Sequence, residues 1–214
     1  MLLGNPRRAD WKLCLPQPAT TAERSSVQEL EQLLEEMPDD IPARKVPGGT
    51  VMPVEHAVRQ EVRRYNDLLH KIRDALRTIL RARRGETSMT YQLENTLKSI
   101  RAKDVPSRWR FDWMDMAFKR LGPWLRDLVA GVEALRAWPI QAMPVTVWLG
   151  GLFDPVLLAN ALLRQEAQRQ NISVDAFELC FEVVADTPAV VAPETGAFVK
   201  GLYLEGAALT ITQT

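Results

Sequence analysis

The chain has 214 residues, 46% of them apolar and 25% charged, the ordinary range for a globular protein with one or two domains and a real core. Its 27 lysines and arginines balance 27 aspartates and glutamates, which gives no reason to expect a nucleic-acid or polyanion binder. Its two cysteines, Cys14 and Cys180, lie too far apart in sequence for a disulfide framework or a zinc knuckle, and point to a reducing compartment.

Met1-Leu2-Leu3 runs at once into Gly-Asn-Pro-Arg-Arg, without the apolar core of a secretory signal. The longest apolar stretches are too short to span a bilayer, so a soluble intracellular protein with no membrane partner is expected. Residues 1–24, with Pro6, Pro16 and Pro18, read as an irregular lead-in. Ser26-Val-Gln-Glu29 fits a capping box. It opens a short helix with Leu30, Leu33, Leu34 and Met37 on one face, ended by Pro38. Residues 38–53 (PDDIPARKVPGGTVMP) read as a proline- and glycine-rich linker.

A long helix is predicted from Pro53 to about Arg84. Val58, Val62, Tyr65, Leu69, Ile72, Leu76 and Ile79 recur at steps of four and three, the stripe of a helix packed lengthwise on others. Its other face carries Arg59, Arg63, Arg64, Arg73, Arg77, Arg81, Arg83 and Arg84, and Gly85 closes it. A second helix begins near Thr90, with Leu93, Leu97 and Ile100 inward, and stops before Val105-Pro106. Trp109, Phe111, Trp113, Met114 and Met116 crowd the next segment. Gly122-Pro123 starts a further helix with Leu125, Leu128, Val132 and Leu135 buried, closed by Pro139.

The pattern then changes. Val145–Leu149 is a strand by its β-branched content. Gly150-Gly151 follows, then a helix from Asp154-Pro155 to near Asn171. Phe177, Leu179, Phe181 and Val183 alternate with Glu178, Cys180 and Glu182 as a half-buried strand does, and Phe198–Leu204 reads as a strand broken by Gly201.

A strand, a glycine turn and a helix are the parts of a phosphate cradle, but VWLGGLFDP lacks the lysine and hydroxyl of a Walker loop. Asp154 also places a carboxylate where a phosphate would sit. Asp154 as N-cap with Pro155 in the first helical position is the better reading. His56 and His70 are too far apart to share a metal. Asp112 and Asp115 sit among Arg110 and Lys119, so local salt bridging is expected of them rather than acid–base work. No catalytic, cofactor-binding or metal-binding residues are assigned. The basic face, with Arg59, Arg63, Arg64, Arg73 and Arg77 as its possible contacts, admits two readings: pairing with acids of the same assembly, or docking of an acidic partner.

In their order the landmarks resemble the C-terminal region of dynein heavy chains, the microtubule motors of cilia and cytoplasm. Glu61-Val-Arg-Arg-Tyr-Asn-Asp-Leu-Leu69 is similar to the family's E-x-x-R-[YF]-N-x-L-L, with Tyr65 and Asn66 in its fixed places. Val105-Pro-Ser-Arg-Trp109 and Leu121-Gly122-Pro-Trp124 resemble V-P-x-x-W and L-G-x-W. Trp148-Leu-Gly-Gly151-Leu-Phe153-Asp-Pro155 is similar to W-[LI]-[SG]-G-[LF]-F-x-P, and Gly201-Leu-Tyr-Leu-Glu205-Gly206-Ala207 to G-L-[YF]-L-E-G-A. The family continues past that point with Arg-Trp and the rest of a small β-barrel. Here Ala208-Leu-Thr-Ile-Thr-Gln-Thr214 follows, so a truncated barrel with exposed strand edges is expected.

The resemblance implies an α+β fold, mostly α, in which a helical bundle is followed by a small, incomplete antiparallel β element. Residues 1–52 are the lead-in and linker, 53–143 the helical part, and 144–214 the start of the barrel. It implies a non-catalytic, cofactor-free module of an ATP-driven, minus-end-directed motor, axonemal rather than cytoplasmic, packed on the AAA ring. Its partners would be the rest of the motor polypeptide and the dynein complex, with microtubules reached only through the parent motor. The residues alone also allow a stand-alone helical adaptor that binds an acidic protein through residues 59–84.

Overall fold

The computed structural model describes residues 21–45, 51–110, 119–140, 142–183, 191–201 and 207–213. In chain order these form α1 (Thr21–Glu35), α2 (Pro53–Arg83), α3 (Tyr91–Arg101), α4 (Leu121–Arg136), β1 (Thr146–Trp148), α5 (Pro155–Gln170), β2 (Phe177–Val183), β3 (Ala197–Lys200) and β4 (Ala207–Gln213). The fold is α+β and mostly α. No described helix is long and apolar enough to cross a membrane.

Helix α2 is the axis, and α1, α3, α4 and α5 all pack on it. The seven-residue stripe is buried along its whole length, from Val58 to Ile79. Leu68 and Leu80 widen it. The helix stops because Gly85 adopts φ +78°. In that left-handed position, which glycine enters without strain, the Gly85 and Glu86 amides turn back to the carbonyls of Ala82 and Arg81. One apolar cluster runs from Leu30 on α1 to Val199 on β3. The helical and strand parts therefore share a core.

Four expectations need correction. Helix α1 starts at Thr21, so Ser26 lies inside the helix and not at its N-cap. The sheet, in order β1-β3-β4-β2, is mixed rather than antiparallel. Strands β1 and β3 run parallel (Thr146↔Phe198, Trp148↔Lys200), with both α5 and β2 lying between them in the chain. The antiparallel pairs are β2 with β4 (Phe177↔Gln213, Val183↔Ala207) and β3 with β4 (Ala197↔Leu209). Burial along β2 also fades: Phe177 is buried, Leu179 packs on the core, and Phe181 is 58% exposed.

The fourth correction concerns the linker. Residues 38–45 have no regular structure, yet side chains bolt them down. Both polar groups of the Asn66 amide meet the Ile41 backbone, Nδ2 donating to its carbonyl at 2.9 Å and Oδ1 accepting from its N–H at 2.8 Å. Asp40 accepts from Arg73 and lies 2.7 Å from His70 Nε2. Arg44, only 6% exposed, makes a two-pronged contact at 2.8 Å with Glu55, 2% exposed, at the start of α2. Bidentate geometry of this kind suits arginine and not lysine. Residues 46–50 lie outside the described residues, as do Cys14, Asp112, Asp115 and the aromatic cluster after Arg110.

Arg44 holds the Glu55 carboxyl below its ordinary 4.5, and burial works the other way. A depressed carboxylate contributes stability that is present above its unfolded pKa and lost as pH falls through the lower folded value. Glu55→Gln leaves the buried guanidinium without its counter-ion, so we expect a loss of about 3–5 kcal/mol at pH 7. Urea unfolding from pH 7 to pH 3 should show that difference shrinking below about pH 4.5; a constant difference would mean that the ion pair is not its source.

Candidate functional site

The residues singled out in the sequence converge where α2 meets the turn between β1 and α5. Glu61, Arg64 and Tyr65 stand at i, i+3 and i+4, one face of one helical turn. Their partner is the corner built by Leu149–Gly151, a 3-10 turn, and the residues up to Pro155. The Glu61 carboxylate is buried and accepts the Phe153 N–H at 2.6 Å and the Asp154 N–H at 3.0 Å. The Tyr65 hydroxyl, also buried, donates to the Gly151 carbonyl at 2.5 Å. The Tyr65 ring meets Phe153 edge-on, with centroids 5.0 Å apart. Arg64 stands at 3.6 Å from Glu61 and 3.9 Å from Asp154, a cation between two carboxylates.

Small residues make this approach possible. A Cβ on Gly131 of α4 would fall 1.9 Å from the Tyr65 hydroxyl oxygen. The half-buried Trp148 indole lies in a slot between glycines: a Cβ on Gly151 or on Gly201 would come within 2.4 Å of it. Helix α5 begins as expected, with the Asp154 side chain accepting the Leu157 N–H at 2.9 Å and Pro155 in the first turn. Two carboxylates, Glu61 and Asp154, thus take three backbone N–H groups at the mouth of α5. A phosphate cradle needs such donors, and this protein fills them with its own anions.

The electrostatics follow from burial. Burial pushes the Glu61 carboxyl above the usual range, while hydrogen bonds from Phe153 and Asp154 and the Arg64 charge hold it back. The Tyr65 hydroxyl is pushed far up, chiefly by burial, so it remains a donor. Asp40 is lowered, first by its hydrogen bond from Arg73.

Tyr65, Trp148, Gly151, Phe153 and Pro155 meet at this joint. Asn66 points elsewhere, to the 38–45 strap. Trp109 and Trp124 stack on one another with centroids 6.4 Å apart. Gly122 lies at the exposed start of α4, where a Cβ would meet only the Arg126 guanidinium, at 4.0 Å; nothing there requires glycine. Glu205 and Gly206 lie outside the described residues. Of the basic face, Arg59 binds Glu55 and the Arg44 carbonyl, Arg64 serves the joint, and Arg73 is 13% exposed against Asp40. Arg77 reaches Asp74 at 3.8 Å with both largely exposed, and Arg63 is exposed. His56 lies against Gln60. Among the described residues no group of three or more His, Cys, Asp or Glu side chains could hold a metal ion.

Sequence reasoning did not single out Arg44, Glu55 or Gly131, and it named Glu61 only as the first residue of the E-x-x-R landmark. A signal for Glu61 existed: a carboxylate three residues after Val58 and four before Tyr65 falls on the apolar stripe, where an unpaired charge would be costly.

The family model for the C-terminal domain of dynein heavy chains matches residues 12–214. Mouse dynein axonemal heavy chain 2 is 34% identical over 182 residues, 84% of this protein and 4% of its own length. Human dynein axonemal heavy chain 1 is 33% identical over 150 residues, 69% of this protein and 4% of its own length. The flagellar outer-arm dynein beta chain of Chlamydomonas reinhardtii is 30% identical over 195 residues, 87% of this protein and 4% of its own length. The 214 residues thus span only a small part of the relatives they match.

The joint makes a directional prediction. In Glu61→Gln one acceptor becomes an N–H donor facing a backbone N–H, so we expect a loss of about 1.5–3 kcal/mol. Tyr65→Phe, which orphans a carbonyl, should lose about 1–2 kcal/mol. Chemical denaturation at pH 7 measures both. Were desolvation of the carboxylate the stronger effect, Glu61→Gln would instead raise the midpoint.

Proposed function

Because the protein belongs to the family of dynein heavy-chain domains that stand at the C-terminus, we propose that it is the non-catalytic C-terminal module of a dynein motor polypeptide. The parent would be an ATP-driven motor moving towards microtubule minus ends. Its setting would be the cytoskeleton of the ciliary axoneme, since the relatives described above carry axonemal and flagellar names. In this reading residues 53–143 supply the helical part of the module and 144–214 its strand part. The module packs on the AAA ring, while nucleotide and microtubule are handled elsewhere in the motor.

The observation that carries the structural role is the filled cradle. The N–H groups that would hold a phosphate accept no further anion while Glu61 and Asp154 occupy them. The joint is a fastening between a helix and a strand–helix corner, with its polar groups engaged on one another. An adaptor reading through the basic face has less support, because Arg59, Arg64 and Arg73 are committed to acids of the same molecule.

The test uses the native polypeptide. Detected with an antibody against residues 53–140, it should sediment with microtubules when ATP is depleted and leave the pellet when ATP is restored. A polypeptide that stays in the supernatant in both conditions, or pellets in both, would contradict the motor assignment.

A further inference from the structure

We propose that a reciprocal pair of arginines, Arg44 and Arg136, forms a clasp that couples α1 and its strap to the turn leading into β1 and the glycine corner. From the strap, Arg44 donates Nη1 to the Trp138 carbonyl at 2.7 Å and Nη2 to the Pro139 carbonyl at 2.8 Å, just past the end of α4. From the last turn of α4, Arg136 Nη2 returns the contact to the carbonyls of Asp39, and of Asp40 at 3.3 Å. Each arginine thus reads the other segment's backbone. Residues 38–45 and 138–139 lie outside the strands and helices, so the clasp gives these carbonyls partners that regular secondary structure does not. An arginine at the carbonyl end of a helix is also favoured by the helix dipole.

The connectivity gives the clasp a direction. Upstream, the strap continues from α1, whose Leu30 and Leu33 are buried against the core, as is Met37 just past its end. Downstream, residues 138–145 lead into β1 and Trp148, which sits in the slot of Gly151 and Gly201. Arg44 also holds Glu55 at the start of α2. A displacement of α1 therefore has a short polar route, through residues 38–45 to residues 138–139 and on to the corner that Glu61 and Tyr65 hold. The coupling is energetic: loosening α1 loosens the corner only while the clasp is closed.

A double-perturbation hydrogen-exchange experiment on the full-length protein decides it. Leu34→Ala loosens α1 at a partly buried position. Arg136→Gln opens one half of the clasp from an exposed site, and Arg44→Lys opens the other while keeping the charge. In the otherwise unchanged protein, Leu34→Ala should speed amide exchange in residues 138–153 by about fivefold or more, the lower range of coupling between sites. In the Arg136→Gln background the same change should speed exchange in α1 but leave residues 138–153 within about twofold of that background's own rates. Equal responses in both backgrounds, or no response of residues 138–153 in the unmodified one, would overturn the proposal. If Arg44→Lys does not fold, the Arg136→Gln comparison stands by itself.

Discussion

The structure depends on one buried carboxylate. Glu61 lies on the apolar stripe of α2, where a charge is tolerated only if its hydrogen-bonding capacity is met. Two backbone N–H groups at the start of α5 meet it, and Arg64 adds a cation at 3.6 Å. Those N–H groups belong to a turn with no intrahelical partners for them. Each side therefore solves the other's problem, and neither α2 nor the corner has an equivalent alternative position. Tyr65, one turn along, adds a donor to the Gly151 carbonyl, and its ring fills the space that Gly131 leaves open.

From this joint the remaining architecture follows. The corner sets the direction of α5, which leads from β1 to β2 at the opposite edge of the sheet. Gly201 ends β3 with φ +86° and closes the slot around Trp148, so the far end of β1–β3 is indexed to the same corner. On the other flank of α2, Asn66 and Glu55 fix the strap. One helix thus presents three polar devices between Glu55 and Asn66 and positions α1, α4 and α5 around itself. Apolar burial supplies the cohesion; the polar groups supply the geometry.

Much of this was legible in the sequence, and the failures have physical reasons. Periodicity found α2, α3 and α4, because a stripe such as Val58–Ile79 depends only on helical geometry. The Asp154-Pro155 start was legible because capping is local. The strap was not: PDDIPARKV has the composition of a linker, and its order comes from Asn66, Arg73 and Glu55, all distant in sequence. Parallel pairing of β1 with β3 was equally out of reach, since strand order is a property of the whole fold. The capping-box reading at Ser26 failed because α1 already begins at Thr21, which puts the motif inside the helix. Asp154 and the missing lysine argued against a phosphate at the glycine turn, and a further reason, Glu61, lay far upstream on another helix.

The central claim is that the joint is complete as it stands and holds no nucleotide. It is tested most directly by following the Phe153 and Asp154 backbone amides by NMR during titration with ATP and with inorganic phosphate. The account predicts that both amides stay protected from solvent exchange and that neither signal moves in a saturable way. Saturable shifts centred on these two amides, with the Glu61 carboxylate displaced, would contradict it.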